Sequence, residues 1–260
     1  MNPVLYDGSF EGLLTAVFEI YEYQIELPQI VNAEHAAGSL FGQIHRVHTD
    51  RDKAGRVYKK LKQKLTSNAL SQLYKTYLSE LRDIENAIFR YIKYVLASKS
   101  AVENNFAHPD VLLLQQTGRK VHREKHRMEA FVRFQLTKDG LYYCIIQPDF
   151  NVLPLISDHF EKRYADQRWM IYDSLRKYGI YYDLHTTQEI KMNFDADPND
   201  KNTLKEITDE KEGMYQQLWR TYFNNVNIAA RNNIKLHIQH VPKRYWRYLT
   251  EKKGSVKGEY

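Results

Sequence analysis

At about residue 130 the spacing of apolar side chains changes from the rhythm of helices to the two-residue alternation of strands. Between residues 70 and 95, Leu73, Tyr74, Tyr77, Leu78, Leu81, Ile84, Ile88, Tyr91, Ile92 and Val95 share one helical face, which predicts one long helix or two. Beyond the change, Ala130, Val132, Phe134 and Leu136 alternate with Phe131, Arg133 and Gln135. Lys138-Asp139-Gly140 is a hairpin turn signal, and residues 141–147 read as the second strand. Pro154 opens a helix to about Tyr164. Residues 168–173 and 178–184 form a second hairpin, with residues 189–194 as an extension. The order predicts an α+β fold whose antiparallel sheet comes from a β-β-α-β-β core, flanked by N- and C-terminal helices.

The remaining segments have local signals. Residues 4–6 read as a short strand leading into Asp7-Gly8-Ser9, and Ser9 is a helix N-cap ahead of Leu13, Leu14, Val17, Phe18 and Tyr21. Pro28 ends that region. Residues 40–49 alternate as a strand, and Thr49-Asp50 caps a basic helix through Lys64. Residues 99–108 are a polar break, and Pro109 suits the first turn of a helix reaching about Met128. Residues 195–202 read as a loop and 210–230 as a helix. The expected organisation is a single domain, 1–260, with a helical lobe (1–108) and a β-rich lobe (109–260).

A single cysteine, Cys144, excludes an intrachain disulfide and an iron–sulfur cluster held by this chain alone, since a cluster takes about four thiolates. No stretch reaches the ~20 apolar residues of a membrane span, and no signal peptide is visible, so a cytoplasmic soluble protein is expected. No phosphate-loop, dinucleotide or nucleophile-elbow motif occurs. The net charge of +6 is modest, but it is concentrated. Residues 231–257 hold eight basic side chains against one acidic, and residues 118–133 hold six against two. Twenty tyrosines supply many surfaces that are apolar with a polar tip.

Residues 126–173 interleave imidazoles, arginines, carboxylates and aromatics, a mixture suited to a catalytic or polyanion-facing cleft. His126, His159, Asp149 and Asp173 are the candidate acid–base groups. The competing reading makes His159 a core-edge residue and the two aspartates turn or cap residues. Phe131 and Arg133 share a strand face and suit stacking beside phosphate contact; equally, Arg133 snorkels over a sheet edge or pairs with Asp149 or Asp173. The run Lys243-Arg244-Tyr245-Trp246-Arg247-Tyr248 alternates cations and aromatics, as nucleic-acid surfaces do, but also as a terminal helix packing its aromatics inward does. His122 and His126 stand four apart, yet the order His-x-Glu-x-His is not that of a metalloprotease, and no metal site is assigned. No cofactor is expected.

The chain resembles a bacterial family described as a "probable DNA metabolism protein". The resemblance rests on residues 6–12 (Tyr6-Asp7-Gly8-Ser9-Phe10-Glu11-Gly12), residues 126–134, Pro148-Asp149, Val152-Leu153-Pro154-Leu155, His159-Phe160, Arg163, residues 169–173, Arg231-Asn232 and residues 242–246. It therefore spans nearly the whole chain. It implies a setting rather than a reaction: members are encoded beside a radical S-adenosylmethionine protein assigned to DNA modification or repair, and a related domain is fused to a uracil-DNA-glycosylase-like domain. No catalytic residue carries over.

These readings predict a DNA-binding accessory protein of DNA modification or repair, working with a radical enzyme. Arg127, Arg133, Arg163, Lys243, Arg244 and Arg247 would contact phosphates. Phe131, Trp169, Tyr245 and Trp246 would offer stacking faces. One alternative is an enzyme acting on a nucleotide or damaged base through the His/Asp cleft. The other is a protein-interaction subunit with no DNA contact.

Overall fold

The computed structural model describes residues 2–36, 44–191, 238 and 240–252. The chain divides into two compact units, Met1–His122 and Arg123–Tyr260, with the boundary inside one helix. It is a mixed α/β protein with two sheets. The expected helix at 210–230 and loop at 195–202 lie outside the described residues.

The first unit begins with β1 (Asn2–Tyr6), α1 (Phe10–Glu22) and β2 (Pro28–Asn32). As expected, Ser9 caps α1, its Oγ accepting from the Gly12 N–H at 2.9 Å. Of the expected strand at 40–49, residues 40–43 lie outside the described residues; in the remainder the strand is His45–Arg46, β3. The three strands are parallel in the order β2-β1-β3, so this lobe holds a sheet as well as helices. After β1 the chain goes to one side, and after β2 it crosses to the other. Asp50 caps the basic helix α2 (Arg51–Lys64), its carboxylate accepting from the N–H groups of Asp52 and Lys53 at 2.8 and 3.1 Å.

The helical stretch at 70–95 is two helices, α3 (Ser67–Tyr77) and α4 (Ile84–Ala97), parted where Glu80 and Asp83 take positive φ. Asn86 on α4 uses both ends of its amide on Ile30 of β2, accepting from N–H at 2.8 Å and donating to C=O at 3.0 Å. It thereby supplies the partner that edge strand would otherwise lack. Val4, Leu13, Val17, Leu61, Ile88 and Ile92 form the buried centre of this unit.

Pro109 begins α5 (Pro109–Phe131), but the helix runs past Met128 into the first residues read as a strand, Ala130 and Phe131. Only Gln135–Leu136 is extended, as β4. Residues 130–136 straddle a helix end, and their alternation is coincidental; Val132 N–H still bonds back to the Met128 carbonyl at 3.1 Å. β4 turns into β5 (Tyr142–Ile146) through the expected hairpin, with Gly140 at φ +78°, a conformation that costs other residues roughly 1–2 kcal/mol.

α6 (Leu153–Arg163) follows, then β6 (Trp169–Asp173), β7 (Tyr178–Tyr182) and β8 (Thr187–Lys191). The sheet order is β4-β5-β6-β7-β8. It is mixed, because β5 and β6 run parallel while the other pairs are antiparallel. This corrects the expected antiparallel core. A helix between two neighbouring strands carries the chain back to its starting end, and the second strand then runs in the same direction. Leu153, Ile156 and Phe160 are the buried residues of that crossing helix.

Candidate functional site

The second unit contains a cleft of about 890 Å³ lined by the end of α5, by β4 and β5, and by α6. His126 and Glu129 come from the end of α5, Arg133 from just beyond it, Tyr142 from β5, and His159, Arg163 and Tyr164 from α6 and its C-cap. That size is within the range of small-molecule sites.

Glu129 organises the polar wall. It lies three residues from His126 and four from Lys125 on one helix, so all three share a face. Its carboxylate is 2.8 Å from Lys125 Nζ, 3.4 Å from His126 Nδ1 and 3.8 Å from His159 Nδ1. Burial pushes this carboxyl up, but Lys125, His159 and His126 outweigh it and hold it below the ordinary range. His126 is largely exposed and His159 half-buried beside the edge of Phe160. Two imidazoles facing one carboxylate in an open cleft can bind a phosphate or pass a proton.

Asp149 and Asp173 do not line this cleft, so the expected quartet is split. Asp173 ends β6 with its carboxylate fully buried. It accepts from Arg176 Nη1 at 2.9 Å and from the N–H groups of Leu175 and Arg176 at 2.9 and 3.2 Å. Burial is the largest influence and raises it above the usual carboxylate range despite Arg176. Asp149, in the loop after β5, accepts from Arg244 at 2.5 Å, and its N–H donates to Glu124 at 3.0 Å. Burial and the neighbouring Glu124 raise it also. Both aspartates are turn-binding and ion-pairing groups. The acid–base pair with a shared position is His126 with His159, joined by Glu129 rather than by an aspartate.

Glu124, on α5, is the hub of the second cluster. Its buried carboxylate accepts from the Tyr245 hydroxyl and from Arg127 at 3.4 Å, with Arg244 at 4.0 Å. Among the phosphate-binding candidates, Arg127 and Arg244 are thus paired to carboxylates. Arg133 donates to the α5-end carbonyls of Ala130 and Val132 at 2.6 and 3.1 Å and pairs with Glu251 at 3.0 Å. It is a helix-end clamp, not the strand-face partner of Phe131. Phe131, last residue of α5, packs on Tyr245 with ring centroids 5.6 Å apart.

Trp169 is fully buried among Phe134, Phe160 and Tyr182, and Tyr245 is buried too, so neither has a face to offer a base. In both cases the aromatic ring completes a core.

The run Lys243–Tyr248 is a 3-10 helix. Side chains three apart eclipse in that geometry, which divides the six residues into three pairs. Tyr245 and Tyr248 form one pair; Tyr245 is buried, and Tyr248 donates to Gln147 Oε1 at 2.9 Å. Arg244 and Arg247 form the second, both exposed and each over the ring of the next tyrosine at 4.6 Å. Lys243 and Trp246 form the third, with the lysine 6.0 Å from the ring and the indole N–H donating to the Val241 carbonyl at 2.9 Å. Lys243, Arg247 and Arg163 are exposed cations with no carboxylate partner among the described residues. Arg163 lies 5.8 Å from the Tyr164 ring.

Sequence reasoning weighed Glu124 only for its place between His122 and His126, and passed over Glu129 and Arg176. The spacing of Glu129 from Lys125 and His126 was a readable signal; the partners of Glu124 and Arg176 come from distant segments. Among the described residues no group of three or more His, Cys, Asp or Glu is arranged to hold a metal ion, and no helix is long and apolar enough to cross a membrane. No curated protein matches the chain. The model of the domain of unknown function DUF4130 matches residues 82–251, and this chain belongs to that family.

Proposed function

We propose that this protein is a DNA-binding accessory subunit in DNA modification or repair, acting with a radical S-adenosylmethionine partner. The observation that carries the DNA-facing part is the 3-10 helix Lys243–Tyr248. Its tyrosines anchor it, and its cations remain at the surface beside the half-buried Trp246. Exposed cations next to aromatic rings combine phosphate neutralisation with base stacking. Thr250, just beyond this helix, lines the cleft that holds His126, His159 and Arg163, so a strand bound on the helix would pass close to a pocket large enough to admit a nucleotide. The radical partner rests on the resemblance described above, and a single buried cysteine leaves any iron–sulfur cluster to that partner.

The test is fluorescence anisotropy of labelled single-stranded and duplex DNA across a salt series. Binding that weakens steeply with salt is expected, and it should diminish in Arg247→Ala and Lys243→Ala. Absence of binding at low salt by folded protein overturns the DNA-facing reading. Co-purification with the radical enzyme encoded nearby tests the partner.

A second reading, an enzyme acting on a nucleotide or damaged base, is favoured by one observation: the shared position of His126, Glu129 and His159 in the cleft. It requires turnover by the isolated protein and its loss in His159→Ala with the melting temperature retained.

A further inference from the structure

The first unit contains a larger opening, of about 1100 Å³, at the carboxyl end of its parallel sheet. Ser9 follows β1 there, and Thr49 follows β3. Both hydroxyls donate to Asp7 at 2.7 Å, which ties the two strand ends together. With β1 central and its neighbours added on opposite sides, this is the point where the winding reverses. Parallel α/β sheets bind ligands there because the two connections leave a crevice between them.

The helical walls have a definite chemistry. One face of α2, at spacings of three and four, contributes Arg51, Gly55, Tyr58 and Lys62. α3 contributes Ser67, Ser71 and Tyr74 at the same spacings, and Phe10 sets its ring 5.1 Å from that of Tyr74. α2 as a whole carries seven basic residues against one acidic. Lys53 and Arg56 are used against α1, on Glu19, Glu22 and Phe18. Arg51 and Lys62 have no carboxylate partner among the described residues. The lining carboxylate, Glu11, stands with Ser9 and Thr49 at the sheet end. Lys62, Ser67 and Ser71 form a polar end without a lining carboxylate, about three helical turns away along α2.

Gly55 provides an independent pointer. It is an interior helical position, where glycine disfavours the helix relative to alanine. A Cβ built on it meets no atom within 4 Å, so no neighbour in the fold demands the glycine. Gly55 is exposed and lines the opening, so a side chain there would project into it.

We propose that this opening binds a nucleoside phosphate, with the base against Tyr58, Tyr74 and Phe10 and the phosphate at Lys62, Ser67 and Ser71. The site is separate from the DNA-facing helix of the second unit and does not depend on it. A free mononucleotide and the 5′-phosphorylated end of a strand present the same chemistry. Equilibrium dialysis with AMP, adenosine, dAMP and TMP, and with a tetranucleotide carrying or lacking a 5′-phosphate, separates them.

Saturable binding is expected to fall about tenfold or more in Gly55→Leu, whose side chain projects into the opening while its melting temperature is unchanged or higher, and in Tyr58→Ala, which removes a stacking partner. Lys62→Met is expected to erase the preference for AMP over adenosine. Binding confined to the phosphorylated tetranucleotide and lost in Gly55→Leu assigns the same pocket to a strand end. No saturable binding of any of these probes, or affinity in Gly55→Leu within about twofold of the parent, overturns the proposal.

Discussion

Tyr245 donates its hydroxyl to the buried carboxylate of Glu124, across 121 residues of sequence. That bond and the packing of Tyr245 on Phe131 hold the basic 3-10 helix against α5. Burial, reinforced by Glu124, raises the tyrosine hydroxyl well above its ordinary range, so it remains a donor at any physiological pH. Tyr245→Phe keeps the ring and removes one of the donors to a buried carboxylate. It should cost about 1–3 kcal/mol, read as a lower urea midpoint.

The pair of Asp173 and Arg176 stabilises the turn between β6 and β7. Asp173 is fully buried, and the guanidinium also donates to the backbone carbonyls of Pro148 and Asp149, at 3.2 and 3.3 Å. Removing Asp173 takes the carboxylate from the Arg176 guanidinium and the acceptor from the turn N–H groups of Leu175 and Arg176. Asp173→Ala should cost about 3–5 kcal/mol. Replacing both residues with apolar side chains should cost less than the two single changes summed, which a double-mutant cycle on thermal melts would measure.

The arginines should separate by phenotype. Arg247 is exposed with no carboxylate partner among the described residues, so Arg247→Ala should reduce the salt slope of DNA binding by about 0.7–0.9 per lost phosphate contact. Arg133 clamps the end of α5 and pairs with Glu251. Arg133→Ala should instead lower the melting temperature and leave the slope unchanged. Anisotropy titrations beside melting curves would check both expectations.

Glu129 gives the fold an acid-sensitive element. Its folded-state value is depressed below the ordinary 4.5, so its stabilising contribution is complete above that pH and is lost as pH falls through the folded value. Asp149 and Asp173 act in the opposite sense. Their raised values favour the fold when protonated, a contribution lost as pH rises from the ordinary 3.8 through the folded values. Glu129→Gln should therefore flatten the parent's loss of stability on acidification. Urea titrations at a series of pH values below neutrality would measure the difference.

Helix starts and tight turns were legible because their determinants lie within a few residues. Ser9, Asp50, Pro109 and the Gly140 turn all act where they were expected. The break between α3 and α4 was open in the sequence, since the apolar face continues across it and only two positive-φ residues interrupt the helix. The strand read at residue 130 failed for a related reason: a helix end passing into extended chain can alternate by coincidence, and a two-residue period does not reveal a hydrogen bond to the turn before.

For the site, the sequence by itself determined which residue types were available and that both His126 and His159 were worth pairing. It also determined that one thiol restricts cluster chemistry and that cations cluster near the end of the chain. Tertiary structure alone decided how they were sorted. It placed both imidazoles on Glu129, assigned Asp149 and Asp173 to ion pairs, buried Trp169 and Tyr245, and committed Arg127, Arg133 and Arg244 to carboxylates. It also aligned β5 with β6 and gave β2 its edge partner in Asn86. The physical reason is range. Caps and turns are decided by neighbours three or four positions away. Burial and ion pairing depend on segments separated by up to 121 residues, which only the packed chain brings together.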